Sequence, residues 1–560
     1  MINIFPVLIF SLTLLSPNIY LILHNISTEG LLNSFNGNLS YIFSCIIYIL
    51  LILTIKRINL LLIALFPFFV LTPLELFYTT TYNTPSSFEV FGVISETDYK
   101  ESMSYMTGLE SFWLPFFIIN LIIGCWTVYY SSVVSTPQIN NKPKKILIIF
   151  LTIACVIIFP YSANRGMDLI TNGYPFGTPL RLHEFFHEKS NLLLQRELIK
   201  NYAFNAKSTN PDTEKEIFVL IIGETGKRER WSLNGYSKQT NPLLAKQTNL
   251  INFSDFLSVT SFTRTSVPTL LTRKPVAVSN TFTFNEKSVI SAFKEAGFKT
   301  YWLSMQIPLG AHDSSISTYA YEADDIRFLR YSDYNHTGEY DTKLLPHFNK
   351  ILLDSYKKKF IVLHTLGSHF NYMDRHPKSF DIFKPSLYDI KNPSLHSYDQ
   401  QIYLSNSYDN SVLFTDYFIN NVINTLKSQK QNSFLIYTAD HGENIFENGC
   451  QQSGHGLNTR KNFEIPTLAW YSEEYKNSNI NHVNALVVNK DKKMNTTNIF
   501  FSLLDAANIS YREENHEMSF VSHSFRSRNR FINQSALIDY DNAYFVGNCE
   551  FVKEKSTHEN

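Results

Sequence analysis

Hydrophobic and polar positions divide the chain into two unlike parts. Over residues 1–162 apolar residues run nearly unbroken at about 2–23, 41–55, 58–78, 111–134 and 146–162. Most of these runs approach the roughly 20 residues that a helix needs to cross a bilayer, so five transmembrane helices are expected. The first run has no basic n-region and no small-residue cleavage site, which reads as a span that stays attached and not as a leader. Residues 163–214 form a linker. It opens with the Gly- and Pro-containing stretch from Asn172 to Pro179 and continues as an amphipathic helical pattern through Leu192 to Ile199, suited to a membrane surface. From residue 215 to about 552 the pattern becomes strand, loop, helix, repeated. A helical stretch at 289–297 precedes a strand at 299, and another at 409–426 precedes a strand at 434. That alternation predicts an α/β domain with a largely parallel sheet.

One strand organises the second part. Ile217 to Ile222 is a continuous apolar run, the mark of a strand buried on both faces, and it ends on Gly223, Glu224 and Thr225. Three further strand-like runs end on polar residues: 434–439 on Asp440 and His441, 360–363 on His364 to His369, and 299–303 on Ser304 to Gln306. Ligands of open α/β sheets bind outside the carboxyl ends of the strands, so these oxygen and nitrogen donors are expected on one sheet edge.

Charge adds orientation. Lys56 and Arg57 lie between spans two and three, and Lys142, Lys144 and Lys145 between four and five, whereas residues 24–40 lack Lys and Arg and 79–110 hold only Lys100. This bias places the amino terminus inside and, after five spans, the second part outside the cytoplasm. The 49 Lys and Arg against 49 Asp and Glu give no net charge, and no basic cluster suits a nucleic acid. Of 5 cysteines, Cys45, Cys125 and Cys155 lie in apolar segments, and a bridge between Cys450 and Cys549 requires an oxidising compartment.

Two motifs compete for metal chemistry. His183-Glu-Phe-Phe-His187 matches the zinc-protease pattern, but no third ligand follows it, and a polar face on a surface helix accounts for both histidines. Glu224, Asp440 and His441 instead make an O, O, N set that a cation such as zinc accepts in tetrahedral geometry, with a hydroxyl able to complete it. The hydroxyl-rich loop before Pro268 leads into a helix whose first turn can accept that proline. It offers Thr260, Ser261, Thr263, Thr265 and Ser266 as nucleophiles, and the start of a helix there would cradle a phosphoryl group.

Several strings together resemble bacterial phosphoethanolamine transferases, membrane members of the alkaline phosphatase/sulfatase superfamily. They are Gly223 to Pro242, Thr263-Arg-Thr-Ser-Val-Pro268, Tyr301-Trp-Leu-Ser304, Leu363 to His369, Tyr408-Asp-Asn-Ser411, Asp440-His-Gly-Glu443, Glu447-Asn-Gly449 and Gly454-His-Gly456. The resemblance implies a sulfatase-like catalytic domain at 215–552 on the periplasmic side of the bacterial inner membrane. It implies Glu224, Thr263, Asp440 and His441 as zinc ligands, Thr263 as nucleophile, and His369 and His455 as catalytic or substrate-side histidines. In the outer loop Thr97 and Glu101 resemble a stretch that reaches the site and would bind substrate. The implied partners are phosphatidylethanolamine as donor and an envelope glycolipid or glycan as acceptor (lipid A, lipopolysaccharide core or a periplasmic glucan), bound by a monomer. The chain departs from lipid A-modifying members at Val93, Val259, Thr269 and Met305. A glycerophosphate transferase, or a phosphodiesterase or sulfatase-like hydrolase of the same fold, is the alternative, though a sulfatase-type Cys-x-Pro-x-Arg motif is missing. A binding protein with a relic site is a third reading.

Overall fold

The computed structural model describes residues 5–31, 34–82, 84–86, 91, 110–133, 142–163, 169–211, 214–281, 284–306, 315–329, 340–391, 393–534 and 536–555. The chain divides into two compact units, 1–95 with 109–187, and 96–108 with 188–560. Val93, Thr97 and Glu101 lie outside the described residues.

The first unit is helical. Helices α1 (Phe5–Glu29), α2 (Phe35–Thr54), α3 (Ile58–Tyr82), α4 (Glu110–Val133) and α5 (Lys142–Ala163) correspond in position to the five apolar runs. Among the described residues three of them, over Phe5–Ser27, Phe35–Thr54 and Ile58–Thr80, are long and apolar enough to cross a membrane, and Pro115–Ser131 is a shorter apolar helix. Helix α2 starts six residues before the apolar run at 41, because the polar residues there find partners inside the unit. Asn25 donates to Asn38 at 2.9 Å, and Asn38 is buried. Tyr174 is held the same way: its amide donates to Asn18 Oδ1 at 3.0 Å, and its carbonyl accepts from Asn18 at 2.6 Å and Ser44 at 2.7 Å. A buried pair, Glu75 and Arg181 at 3.2 Å, joins α3 to α6 (Gly177–Leu198). His183 and His187 stack one helical turn apart on α6 with exposed side chains.

The second unit is built on a seven-stranded sheet. Its strands, in chain order, are β1 (Glu216–Gly223), β2 (Leu250–Phe253), β3 (Lys299–Ser304), β4 (Asp325–Phe328), β5 (Lys358–His364), β6 (Asn432–Ala439) and β7 (Thr467–Tyr471). Across the sheet they run β2-β7-β6-β1-β5-β3-β4. The sheet is mixed: β6, β1, β5, β3 and β4 pair in parallel, while β7 is antiparallel to both β6 and β2. Central β1 is buried along its whole length. Phe218, Leu220 and Ile222 face one apolar layer, with the helix Val289–Glu295, and Ile217, Val219 and Ile221 face the other, with the long helix Gln401–Gln429. Two layers of helix on one sheet account for the unbroken apolar reading of β1. Cys450 and Cys549 form a disulfide.

Candidate active site and metal centre

Register decides what meets at the sheet edge. Gly223 pairs with Ala439, and Ile222 with His364, so the parallel strands β6, β1 and β5 stop together. The residues that follow, Glu224, Asp440 and the loop 365–369, therefore emerge side by side. Asp440 N–H donates to Gly223 O at 2.9 Å, and Thr225 N–H to Asp440 Oδ1 at 2.9 Å. Thr225 adopts a left-handed backbone, φ 56°, which turns the chain sharply after Glu224.

The hydroxyl comes from the helix Thr263–Leu271. This helix begins at Thr263, so Pro268 sits in its second turn and not in its first as the sequence suggested. The reason lies in extended Phe262, whose carbonyl accepts from Thr265 N–H at 3.2 Å and Ser266 N–H at 2.9 Å and so starts the helix early. Thr263 is thereby its first residue, at the end where helices favour anions. Its Oγ1 lies 3.0 and 3.2 Å from the two oxygens of Glu224 and 3.0 Å from His441 Nε2. The other eligible hydroxyls turn elsewhere: Thr265 donates to Thr260 at 2.9 Å, and Ser266 donates to the carbonyl of Asp440 at 2.5 Å.

Glu224, Asp440 and His441 form, among the described residues, a group whose ligand atoms all lie within 4.8 Å of one another. His441 Nε2 stands 3.3 Å from Glu224 Oε1 and 3.4 Å from Asp440 Oδ2. Such spacings match donors around one ion held at about 2.0–2.1 Å, which in a tetrahedron sit about 3.3 Å apart. Asp440 Oδ2 is buried without a hydrogen-bond partner. His441 Nδ1 donates to Gly442 O at 2.9 Å, an assignment that leaves the Nε2 lone pair facing the carboxylates. The donors thus fit a metal ion. Electrostatics agree: burial and the Glu224 charge push Asp440 up to about 7. Burial would lower His441, but Asp440 and Glu224 raise it to about 10. Burial would raise Glu224, yet hydrogen bonding to His441 and the nearby imidazoles hold it well below the usual carboxylate range. Two buried carboxylates whose charge favours a proton on the neighbouring imidazole would favour a metal cation in its place.

His455 and His369 stand next to this group. The His455 ring lies 4.7 Å from that of His441 and 5.3 Å from that of His369, whose Nδ1 contacts Phe370 O at 2.7 Å. His183 and His187 belong to the first unit and have no part in this group.

Three further residues, to which the sequence assigned no individual role, also serve the site. Gln306 donates to Glu224 Oε2 at 2.8 Å and to Thr365 O at 3.2 Å. Asp341 accepts from Leu366 N–H at 2.7 Å and Gly367 N–H at 3.0 Å and so shapes the loop that bears His369; burial pushes it up to about 6. Glu443 lies 3.6 Å from His455 Nδ1, with both carboxylate oxygens buried and unbonded. Gln306 was expected at this edge as the end of the polar stretch after 299–303, and Glu443 closes the Asp440-His-Gly-Glu443 string, whereas nothing near Asp341 marks it.

Comparison with known proteins places this geometry. Residues 216–509 match the family described as Sulfatase. The chain is 26% identical over 499 residues to phosphoethanolamine transferase EptC of Escherichia coli K12, covering 83% of each chain. It is 30% identical over 290 residues to the Kdo(2)-lipid A phosphoethanolamine 7''-transferase of the same strain, 49% of this chain and 47% of that one. A zinc complex of the C-terminal periplasmic domain of the E. coli EptC protein superposes with TM-score 0.53 at 28% identity, covering 60% of this chain and 95% of that domain. The integral membrane lipooligosaccharide phosphoethanolamine transferase A of Neisseria meningitidis shares the fold, with TM-score 0.64 at 19% identity over 92% and 98% of the two chains. The family match takes in β1, Thr263 and Asp440 and extends over more than half of the residues, so this chain belongs to the sulfatase family, among relatives that are phosphoethanolamine transferases.

Proposed function

We propose that the chain is a zinc-dependent phosphoethanolamine transferase of the bacterial inner membrane. Five transmembrane helices anchor it, and its catalytic unit works in the periplasm as a monomer. The donor is phosphatidylethanolamine, and the acceptor is a hydroxyl or phosphate on an envelope glycolipid or glycan. The observation that carries this reading is the Thr263 hydroxyl, set 3.0 Å from both Glu224 and His441 at the first turn of a helix.

Glu224, Asp440, His441 and Thr263 would hold the ion. When bound, it supplies positive charge that eases deprotonation of a hydroxyl and offsets charge on phosphoryl oxygens. Thr263 Oγ, its proton having passed to solvent before the cycle and not regained within it, attacks phosphorus; its bond to phosphorus forms as the bond to the diacylglycerol oxygen breaks, and the phosphoethanolamine group rests on the threonine. His455 or His369 gives a proton to the departing oxygen. In the second half the acceptor oxygen attacks the same phosphorus, one of these histidines takes the acceptor's proton, and Thr263 leaves. Amides in the first turn of the helix steady the phosphoryl oxygens throughout.

The test is incubation with phosphatidylethanolamine followed by peptide mass spectrometry. The expected result is a phosphoethanolamine adduct on the peptide bearing Thr263, diacylglycerol released first, and ping-pong kinetics. Thr263→Ala should abolish transfer, while Thr263→Ser should keep a fraction of it, since the hydroxyl survives without the methyl that restricts its rotamer. An adduct on Thr260, Thr265 or Ser266 would refute the assignment of the nucleophile.

A further inference from the structure

The parallel strands have a second end, and titratable side chains gather there too. Tyr475, on the short helix Glu473–Ser478, packs 5.0 Å from Phe434 and 6.4 Å from Phe218. Those residues lie at the beginnings of β6 and β1, opposite the edge that bears Glu224 and Asp440. Strands of this length set the two edges about 20 Å apart. Beside Tyr475 stand His482 on the helix Ile480–Asn489, Asp505 on the helix Asn498–Ala506, and His516 at the turn His516–Met518. His516 Nδ1 lies 3.3 Å from Asp505 Oδ1, and His482 Nε2 lies 4.0 Å from the same oxygen. The other oxygen, Asp505 Oδ2, is buried and has no hydrogen-bond partner. Glu514 Oε1 is 3.7 Å from His516 Nε2.

Proton placement makes this more than an ion pair. The Tyr475 hydroxyl has one proton, which it donates to Ala506 O at 2.9 Å. Its 3.2 Å contact with His482 Nδ1 therefore needs the imidazole proton on Nδ1. In the neutral ring the Nε2 lone pair then points at the Asp505 carboxylate, a repulsive contact unless a cation lies between them. His516 offers a second imidazole to the same carboxylate, whose other oxygen is buried and unpartnered. A hydroxyl-anchored imidazole with its free nitrogen beside a carboxylate is how proteins present histidine to a metal.

We propose that His482, Asp505 and His516 form a second metal site, independent of the centre at Glu224, Asp440 and His441, that binds a divalent transition ion of the zinc type. Two imidazoles and a carboxylate suit such an ion, with water or Glu514 left to complete its shell. The imidazoles flank Asp505 and not each other, so His516 must turn inward as the ion binds; its side chain is 52% exposed and has room to do so. Bound there, the ion would tie together two helices and the turn at 516.

The test uses the full-length protein in detergent, stripped with a chelator and titrated with Zn²⁺ alone by calorimetry. Wild type should take up one ion more than Asp505→Asn, and His482→Gln and His516→Gln should weaken that uptake about tenfold or more. The rise in unfolding temperature caused by zinc should shrink in all three variants, with transfer activity unchanged. Asp440→Asn should lose a different ion and retain this one. His516 is half exposed, so His516→Gln gives a folded variant in any event. Equal zinc stoichiometry and affinity in wild type, His516→Gln and Asp505→Asn would overturn the proposal, as would loss of one and the same ion in Asp440→Asn and Asp505→Asn.

Discussion

Single side chains at the sheet edge differ in what their loss removes. Glu224 and Asp440 carry charge that offsets a cation, so Glu224→Ala and Asp440→Asn should each lower metal content by roughly one ion per chain. His183→Ala and His187→Ala should leave it intact, because both histidines are exposed on α6. Elemental analysis of the full-length protein distinguishes these outcomes, and metal content that follows His183 and His187 would favour the protease motif instead. Asp416 offers a pH test away from any metal. It is buried and accepts from Leu243 N–H at 3.0 Å and Leu244 N–H at 2.9 Å, yet burial still pushes it up to about 7. Its folded value lies above the unfolded one of about 3.9, so its contribution to stability is complete below about pH 4 and is lost as pH rises through about 7. That shift corresponds to about 4 kcal/mol. Relative to Asp416→Asn, wild type should lose stability by an amount of that order between about pH 4 and about pH 8. Thermal midpoints of the two proteins at both pH values check this; a gap that does not change with pH would contradict it.

At the scale of elements, the site is a set of strand ends held by the loops that follow them. The 365–369 loop is the most constrained of these. Asp341 grips its amides, Ser368 N–H donates to Glu224 O at 3.0 Å, and Gly367 has φ 52°. A Cβ on Gly367 would overlap the carbonyl oxygen of Glu224 and lie 2.7 Å from its amide nitrogen. Gly367→Ala combines a left-handed backbone with that overlap, and a cost of about 1–3 kcal/mol is expected. Since relief requires Glu224 to move, metal affinity and transfer should each fall about tenfold or more; a variant with wild-type turnover would show that the loop yields without disturbing the ligand. Sequence pattern revealed the strands and their polar ends because burial on both faces leaves an unbroken apolar run. It did not reveal where the nucleophile's helix begins, because that start depends on the extended geometry of Phe262 and not on the usual sequence marks of a helix start.

For the whole molecule the disulfide and the three helices long and apolar enough to cross a membrane, among the described residues, bear on the proposed export of the second unit. Cys450 and Cys549 are 99 residues apart and join the loop preceding His455 to the C-terminal hairpin. Closing a loop of that length typically stabilises by about 2–4 kcal/mol. Cys450→Ser should lower stability by that order, and mild reductant should do the same to wild type but nothing further to the variant. If the proposed five spans run from an inside amino terminus, a reporter fused after Asn560 should be active only when exported. Cytoplasmic activity of that fusion would remove both the topology and the lipid-donor mechanism.

The sequence by itself determined the division into an apolar helical part and an α/β part, the buried central strand, and the placement of Glu224 and Asp440 at strand ends. Each of these follows from local periodicity, which burial imposes directly on residue type. Residue type alone left Thr260, Ser261, Thr263, Thr265 and Ser266 equivalent and only the resemblance pointed to Thr263; the tertiary structure puts that hydroxyl 3.0 Å from Glu224 and His441, because the start of the helix directs it there. The tertiary structure alone brought Asp341 to the site, gave Gln306 and Glu443 their partners there, and brought His482, Asp505 and His516 to one another. Those contacts join residues far apart in the chain, and their geometry depends on strand register and helix packing, which no local pattern encodes.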